Sequence, residues 1–215
     1  MELGNYRSIR RLEICGGIAS GKTTLAQALR EAGYQVILEQ FRANPFWRRF
    51  YANPVKHGFE TEVCFLLQHY SDIKHLSDKP RGLICDFGLL QDLAYAEANL
   101  SGHDLKLFKA LYERIVKEVG YPNLLVHLTC SSSVELKRIR ARRRREESAI
   151  TSDYLSNLNR SIAAHVRGAR GRARIMTVNS ETNDFARAGI VRKRIVRQIL
   201  REWTTESPAR QRRLH

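Results

Sequence analysis

Residues 16 to 24 read GGIASGKTT, and they carry the strongest indication of the fold. Its glycines, lysine and threonine complete the P-loop pattern G-x-x-x-x-G-K-[ST]. An apolar, strand-like run, RLEIC, precedes it at 11–15, and a helical pattern, TTLAQALREAG, follows at 23–33. This order of strand, glycine-rich loop and helix is the context in which the motif binds nucleotide phosphates.

The loop predicts a site for the phosphates of ATP. Its glycines let backbone N–H groups converge on phosphate oxygens, and the following helix adds its positive N-terminal end. Lys22 is expected to reach the β- and γ-phosphates, and Thr23 to ligate Mg²⁺. The predicted nucleotide-binding residues are Gly16, Gly17, Ile18, Ala19, Ser20, Gly21, Lys22, Thr23 and Thr24.

Short apolar runs alternate with longer helical patterns along the chain. The strand candidates are 11–15, 35–39, 82–86, 124–129 and 174–178. The helical patterns cover 23–33, 59–76, 104–119, 133–146, 152–166 and 184–203. Such alternation predicts an α/β domain with a five-stranded parallel sheet flanked by helices. We expect one domain over residues 1–206 and a flexible basic tail over 207–215.

The composition is that of a globular chain whose positive charge is concentrated at one end. Of 215 residues, 43% are hydrophobic, and no apolar run reaches the roughly 18 residues of a membrane helix. The net charge is +15, of which residues 137–215 carry +14. The sequence shows no secretory signal, and its four cysteines form no C-x-x-C pair. We therefore expect a cytoplasmic protein with reduced thiols and no membrane association.

Two carboxylates follow strands near the P-loop. Glu39 ends the second predicted strand, and Asp86 ends the third. Because ligands gather at the carboxyl ends of the strands in an open parallel sheet, both side chains are expected beside the phosphates. A kinase that acts on a hydroxyl needs one group to accept the proton and another to hold Mg²⁺. A small kinase is favoured, since the chain carries no guanine-reading N-K-x-D pattern.

Five stretches of the chain follow an order shared with one known family. They are GGIASGKTT, LEQFRANPFWRRFYANP, FETEVCFLLQHY, CDFGLLQDLAYAEANLSG and KRIRARRRREE. Over most of residues 11–165 the chain thus resembles the deoxynucleoside kinases, above all the bacterial deoxyadenosine and deoxyguanosine kinase branch. The resemblance implies a P-loop kinase fold, ATP and Mg²⁺ as cofactors, and a homodimer. It also implies phosphorylation of the 5′-hydroxyl of a deoxynucleoside, with purines favoured, as in nucleotide salvage.

The resemblance implies roles at the matching positions. Glu39 corresponds to the general base on the 5′-hydroxyl, and Asp86 to an acidic residue that works near Mg²⁺. Tyr51 and Glu147 correspond to the pair that holds the 3′-hydroxyl of the sugar. The positions that correspond to the base pocket are Glu62, His69, Asp92 and, as an aromatic wall, Tyr95.

Residues 137–147 read KRIRARRRREE, with six arginines in eight positions. In the resembling family this segment belongs to a lid, here about residues 137–150, that closes over the transferring phosphate. Arg138, Arg142 and Arg144 fall on the family's R-x3-R-x-R-x-E-E pattern and would stabilise charge in the transition state. The arginines outside the pattern, which are expected to face solvent, are Arg140, Arg143 and Arg145.

Three positions depart from the better-known members of the family. Phe87 stands where an arginine would contact the 5′ end of the substrate. Glu62 replaces a base-reading glutamine, and an ionised carboxylate would favour bases that present N–H donors. His69 stands where some members carry arginine, and it is expected either in the base pocket or on the surface of its helix.

Two other functions stay open from the sequence. One is a different small P-loop kinase, such as a nucleoside monophosphate kinase, which would need a second anionic site. The other is an ATP-dependent nucleic-acid-binding protein, suggested by the basic residues 137–215. Aromatic residues are sparse among these arginines, so nucleic-acid binding is not favoured. The basic helix at 187–203 is expected to dock on the sheet rather than lie on a membrane.

Overall fold

The computed structural model describes residues 10–75 and 82–204. Its strands are β1 (Arg11–Gly16), β2 (Val36–Ile37), β3 (Leu83–Cys85), β4 (Leu124–Thr129) and β5 (Arg174–Asn179). All pairings are parallel and the order is β2-β3-β1-β4-β5, which confirms the predicted five-stranded parallel sheet. Because β1 is central, the loop after it opens at the middle of the carboxyl edge.

Helices lie on both faces of this sheet. Within the described residues they are α1 (Lys22–Glu31), α2 (Trp47–Ala52), α3 (Pro54–His75), α4 (Leu89–Asn99), α5 (Gly102–Val119), α6 (Ser132–Ala141), α7 (Ser152–Gly168) and α8 (Gly189–Thr204). Short 3₁₀ turns cover Phe41–Ala43 and Arg145–Ala149. The flanking helices confirm the predicted α/β class.

Alternate residues of the strands face the two helical layers. Leu12 and Ile14 of β1 pack with α1 and α8, whereas Cys15 packs with α4 and α7. β1 is therefore buried along its whole length, as the continuous apolar run predicted. The four cysteines are free, and Cys15 and Cys85 are buried as small apolar side chains.

A buried ion pair in β1 helps to position the site. The Arg11 Nε donates to Glu13 Oε1 at 2.7 Å, and both side chains are 1% exposed. The remaining Arg11 nitrogens donate to the carbonyl oxygens of Val119 and Gly120. Glu13 Oε2 in turn accepts the backbone N–H of Leu89 at the start of α4. The pair thus ties the central strand to the helix that carries several candidate site residues.

The structure differs from the predicted elements in five places. β2 is only two residues long, and α2 and α4 were not predicted as helices. The helix predicted at 133–146 ends at Ala141, because Arg143 adopts a left-handed φ of 53° and breaks the helix. The helix predicted at 184–203 begins only at Gly189. The predicted tail, 207–215, lies outside the described residues.

The basic C-terminal helix docks on the sheet. Its buried side chains are Ile195, Val196, Ile199 and Trp203. They join the core cluster of α1 and β4, while the lysine and most arginines of α8 face outward. Across the described ranges, no helix combines the length and apolar character needed to cross a bilayer.

Candidate active site

The P-loop curls at the carboxyl end of β1 before α1 begins at Lys22. Gly21 has a φ of 104° and Ala19 a φ of 60°, so the loop turns through left-handed backbone at two positions. The Lys22 Nζ donates to the carbonyl oxygens of Gly16 and Gly17, both at 3.0 Å. The lysine thus folds over its own loop, at the place where the N–H groups of a P-loop cradle phosphate.

A cavity of about 390 Å³ opens beside this loop. The predicted nucleotide-binding residues in its wall are Ile18, Ala19, Ser20, Gly21, Lys22, Thr23 and Thr24. The predicted acceptor-site residues in the same wall are Glu39, Tyr51, Glu62, Asp92, Tyr95 and Glu147. The fold therefore brings together residues from five segments of the chain. The predicted site residues that do not line this cavity are Gly16, Gly17, His69 and Asp86.

Glu39 and Asp86 follow neighbouring strands, and the backbone N–H of Asp86 donates to the carbonyl of Ile37 in β2. Glu39 is 26% exposed and faces the cavity. Asp86 is fully buried, and neither of its carboxylate oxygens has a hydrogen-bond partner of ordinary length among the described residues. Burial first, and the charge of Glu39 second, raise the pKa of Asp86 to about 7. The nearby Thr23 hydroxyl and Lys22 oppose that shift.

Asp86 and Thr23 fit an Mg²⁺ ion that is bound together with a nucleotide better than a metal ion that is held by protein side chains alone. The described residues contain no group of three or more His, Cys, Asp or Glu side chains that could hold a metal ion. Mg²⁺ commonly binds through one or two protein oxygens, several waters and the substrate phosphates. The unpartnered carboxylate of Asp86 and the adjacent Thr23 hydroxyl supply that kind of donor set.

His69 does not lie on the surface of its helix, so that alternative from the sequence is wrong. Its side chain is 3% exposed. The Nδ1 atom is 2.9 Å from Asp92 Oδ2, and the Nε2 atom is 3.6 Å from Glu39 Oε1. The ring stacks on Phe87, with centroids 3.8 Å apart. Helix α3, which carries His69, packs against α4 and α5, and the histidine is enclosed between the helices and Phe87.

Glu62 is buried at the inner end of the cavity. Its Oε1 accepts a hydrogen bond from Asn99 Nδ2 at 2.7 Å, and Asn99 is oriented in turn by the Tyr154 hydroxyl at 3.1 Å. Burial raises the pKa of Glu62 to about 8, against the opposing effect of the Asn99 hydrogen bond. The carboxyl is therefore protonated near neutral pH and can donate as well as accept, unlike the ionised group considered from the sequence.

The arginine run divides into two groups. The three arginines on the family pattern line the cavity, whereas Arg140, Arg143 and Arg145 are exposed. The Arg138 guanidinium donates to the carbonyl oxygen of Ala19 and to both oxygens of Ser180, so it ties α6 to the P-loop.

Arg142 and Arg144 converge on one carboxylate. Arg142 Nε donates to Glu147 Oε2 at 2.6 Å, and an Arg144 amino nitrogen donates to Glu147 Oε1 at 3.2 Å. Glu147 is only 3% exposed. It also lies near Tyr51, whose pKa is raised first by burial and then by the charge of Glu147. The residues that correspond to the sugar pair therefore lie side by side.

Some site residues were missed from the sequence. Gln91 Oε1 accepts the backbone N–H of Gly16 at 3.0 Å and so anchors the P-loop to α4. Asn99 and Tyr154 support Glu62 from α4 and α7. The aromatic residues of the wall that were not predicted are Phe41, Trp47, Phe50 and Tyr154. Their contacts join segments that are distant in sequence, so no local sequence pattern predicts that these side chains line the cavity.

A phosphate-binding loop and an adjoining cavity with the Glu39 carboxylate in its wall are the two halves of a phosphoryl-transfer site. The fold and the site together define a small-molecule P-loop kinase. The chain belongs to the deoxynucleoside kinase family, whose pattern it matches over residues 12–204. It is therefore a phosphotransferase, and the family favours a nucleoside as the acceptor.

Named relatives agree with this family. The chain is 30% identical over 182 residues to deoxyguanosine kinase of Bacillus subtilis, covering 81% of this chain and 88% of that protein. It is 29% identical over 153 residues to deoxyadenosine kinase of Dictyostelium discoideum, covering 68% and 62% of the two chains. The solved structure of deoxyadenosine kinase from M. mycoides with bound dCTP superposes with a TM-score of 0.75 at 20% identity, over 88% of this chain and 98% of that chain.

Proposed function

We propose that this protein transfers the γ-phosphate of ATP to the 5′-hydroxyl of a deoxynucleoside, with purines favoured. The observation that carries the proposal is that Glu39 and the P-loop line the same cavity. A carboxylate at that place accepts the proton of the hydroxyl as its oxygen attacks the γ-phosphate. Lys22 and the cavity-lining arginines balance the negative charge that spreads over the phosphoryl oxygens.

Thr23 and Asp86 are the residues that would hold Mg²⁺ with the nucleotide. When bound, the ion neutralises phosphate charge and helps to align the γ-phosphate. The buried, unpartnered Asp86 oxygens support this assignment, because an ionised carboxylate left without any partner is costly. Release of Lys22 from the carbonyls of Gly16 and Gly17 would let its ammonium group meet the incoming phosphates.

The rest of the cavity supports a nucleoside as acceptor. Tyr51 and Glu147 are the proposed partners of the 3′-hydroxyl, and Arg142 and Arg144 hold that carboxylate in place. Glu62 and Asp92 are polar groups in a part of the wall that also holds Phe65 and Tyr95, as expected for a base pocket. The similarity to a deoxyguanosine kinase and a deoxyadenosine kinase supports a purine.

Residues 137–150 are proposed to act as the lid over the phosphates. The chain leaves α6 at Ala141, and the left-handed Arg143 reverses it toward the 3₁₀ turn that carries Glu147. Movement about this bend would bring Arg142 and Arg144 against the transferring group and exclude water.

A test uses deoxyguanosine and deoxyadenosine beside their 5′-deoxy analogues, which lack the accepting oxygen. With ATP and Mg²⁺, we expect a 5′-monophosphate from each normal nucleoside, identified by ³¹P NMR, and none from the analogues. Phosphate transferred to another position, or only to nucleoside monophosphates, would contradict the proposal. A homodimer stays a prediction, and sedimentation velocity tests it.

A further inference from the structure

One imidazole ring stands between two carboxylates that have different tasks in the proposed reaction. His69 Nδ1 lies 2.9 Å from Asp92 Oδ2 in the proposed base pocket. His69 Nε2 lies 3.6 Å from Oε1 of Glu39, the proposed base. The ring therefore forms a bridge from the base pocket to the hydroxyl-activating carboxylate. His69 itself does not line the cavity and is 3% exposed.

The orientation of this ring is fixed by its neighbours. Phe87 lies parallel to it, with centroids 3.8 Å apart and an interplanar angle of 8°. Phe65 stacks at 6.1 Å and 30°. With Nδ1 bonded to Asp92, rotation of the ring would cost that bond and the stacking contacts. The Nε2 atom is consequently held toward Glu39.

Glu39 has few ways to be held in place. Among the described residues it makes no side-chain hydrogen bond, and His69 is the only cation within ion-pair distance of it. Glu62, Asp86 and Asp92 are other acids whose charges lie close to it or to its histidine partner. Burial would lower the pKa of His69, but the charge and hydrogen bond of Asp92 and the charge of Glu39 outweigh it and raise that pKa. The two carboxylates thus stabilise the protonated form of the ring.

We propose that His69 is a positioning residue for phosphoryl transfer, which holds the Glu39 carboxylate in its attacking geometry while anchored to Asp92. This inference rests on the proposed function, because it presumes that Glu39 activates a hydroxyl. The 3.6 Å separation is longer than a hydrogen bond, and such contacts tighten when the substrate binds. His69 gives the base a fixed direction, so its loss lowers the rate more than it weakens binding.

Two substitutions separate the two ends of the ring. Glutamine at position 69 places an amide near the former Nε2, and asparagine places one near the former Nδ1. H69Q therefore keeps a donor for Glu39, whereas H69N keeps only the contact with Asp92. We expect H69N to lower kcat by about 10- to 100-fold with little change in the KM of the nucleoside, and H69Q to lose clearly less. His75→Asn, at the exposed end of the same helix, is the matched control and should leave kcat unchanged.

The opposite order, with H69N faster than H69Q, would overturn the proposal, since it would mean that His69 serves the base pocket alone. A rise in nucleoside KM with unchanged kcat in both variants would overturn it in the same way. Thermal melting of each variant shows whether a loss of rate reflects unfolding.

A measurement without turnover tests the contact itself. The ¹⁵N chemical shifts of the His69 ring are recorded in the wild-type protein and in E39Q, with His75 as internal reference. We expect the His69 Nε2 resonance to move in E39Q and the His75 resonances to stay. An unchanged His69 resonance would refute the contact. A wild-type enzyme that phosphorylates no nucleoside would refute the proposed function instead, so the two failures are distinct.

Discussion

The ring of His69 lies flat against the ring of Phe87, with centroids 3.8 Å apart and planes 8° apart. Phe87 is fully buried at the position where an arginine was expected from the resemblance. The aromatic side chain therefore fills this position by packing and supports the His69 ring. Phe87 thus occupies the space of the arginine that the resemblance led us to expect, and its buried ring fills that space.

This stacking predicts the effect of Phe87→Ala. Removal of a fully buried phenylalanine should destabilise the protein by about 3–5 kcal/mol through lost burial and a cavity. It should also lower kcat, because His69 is then free to turn away from Glu39. Urea unfolding and steady-state kinetics check the two effects. Leu107→Ala, which removes a half-exposed side chain, should change stability by less than about 1 kcal/mol.

The raised pKa of Glu62 predicts a base preference that depends on pH. Below about pH 8 the protonated carboxyl can donate to an acceptor such as N1 of adenine, and above it the carboxylate can only accept, as from N1–H of guanine. The ratio of kcat/KM for deoxyadenosine to that for deoxyguanosine should therefore fall, by about tenfold, as pH rises through this value. Because other titrating groups, such as Asp86, act on both substrates, the ratio isolates Glu62.

Glu62→Gln is the control for this dependence. The amide does not titrate, so the ratio should be flat with pH. A ratio that still falls in the variant, or one that is flat in the wild-type enzyme, would show that Glu62 does not read the base.

The cavity-facing and exposed arginines should respond differently to substitution. Arg142→Ala removes a donor to Glu147 and a charge beside the phosphates, and we expect kcat to fall by about 10²- to 10³-fold. Arg143→Ala removes an exposed charge one position along and should have less than a twofold effect. Measurement of kcat for both variants under the same conditions tests this difference. Equal losses would indicate that only the overall positive charge of the segment counts.

The buried pair of Arg11 and Glu13 predicts a loss of stability remote from the chemistry. Glu13→Ala leaves a buried guanidinium without its carboxylate and removes the acceptor for the Leu89 N–H. We expect a cost of about 3–5 kcal/mol in urea unfolding. The exposed Glu60→Ala should cost less than about 0.5 kcal/mol. A small effect of Glu13→Ala would mean that water or a rearranged Arg11 replaces the pair.

Much of this architecture could be predicted from local sequence, because β1 and β4 read as short strand-like runs rich in apolar residues and the P-loop has a fixed spacing. The bend at Arg143 in the proposed lid could not be predicted, since this residue takes a left-handed conformation that arginine does not favour. Helix α4 was missed because its buried face carries Gln91 and Asp92, which interrupt an apolar stripe.

Distant contacts explain the remaining omissions in the site. Asn99 and Glu62 are 37 positions apart, and Tyr154 is 55 positions from Asn99. The pKa of Glu62 depends on this enclosure, so the sequence alone suggested an ionised carboxylate. The positions of Glu39 and Asp86 could be predicted from the sequence. Both residues follow strands of a parallel sheet, and ligands bind at the carboxyl ends of such strands.

The most direct test of the proposed reaction measures phosphate transfer from ATP in the presence of Mg²⁺. The acceptors are the four deoxynucleosides, their ribonucleoside forms and their monophosphates. The wild-type enzyme and Glu39→Gln are compared on each acceptor. We expect one or two deoxynucleosides to be phosphorylated, and Glu39→Gln to lose about 10²- to 10⁴-fold in kcat while it still binds ATP. Turnover that survives in Glu39→Gln, or ATP binding without phosphorylation of any nucleoside, would contradict the account.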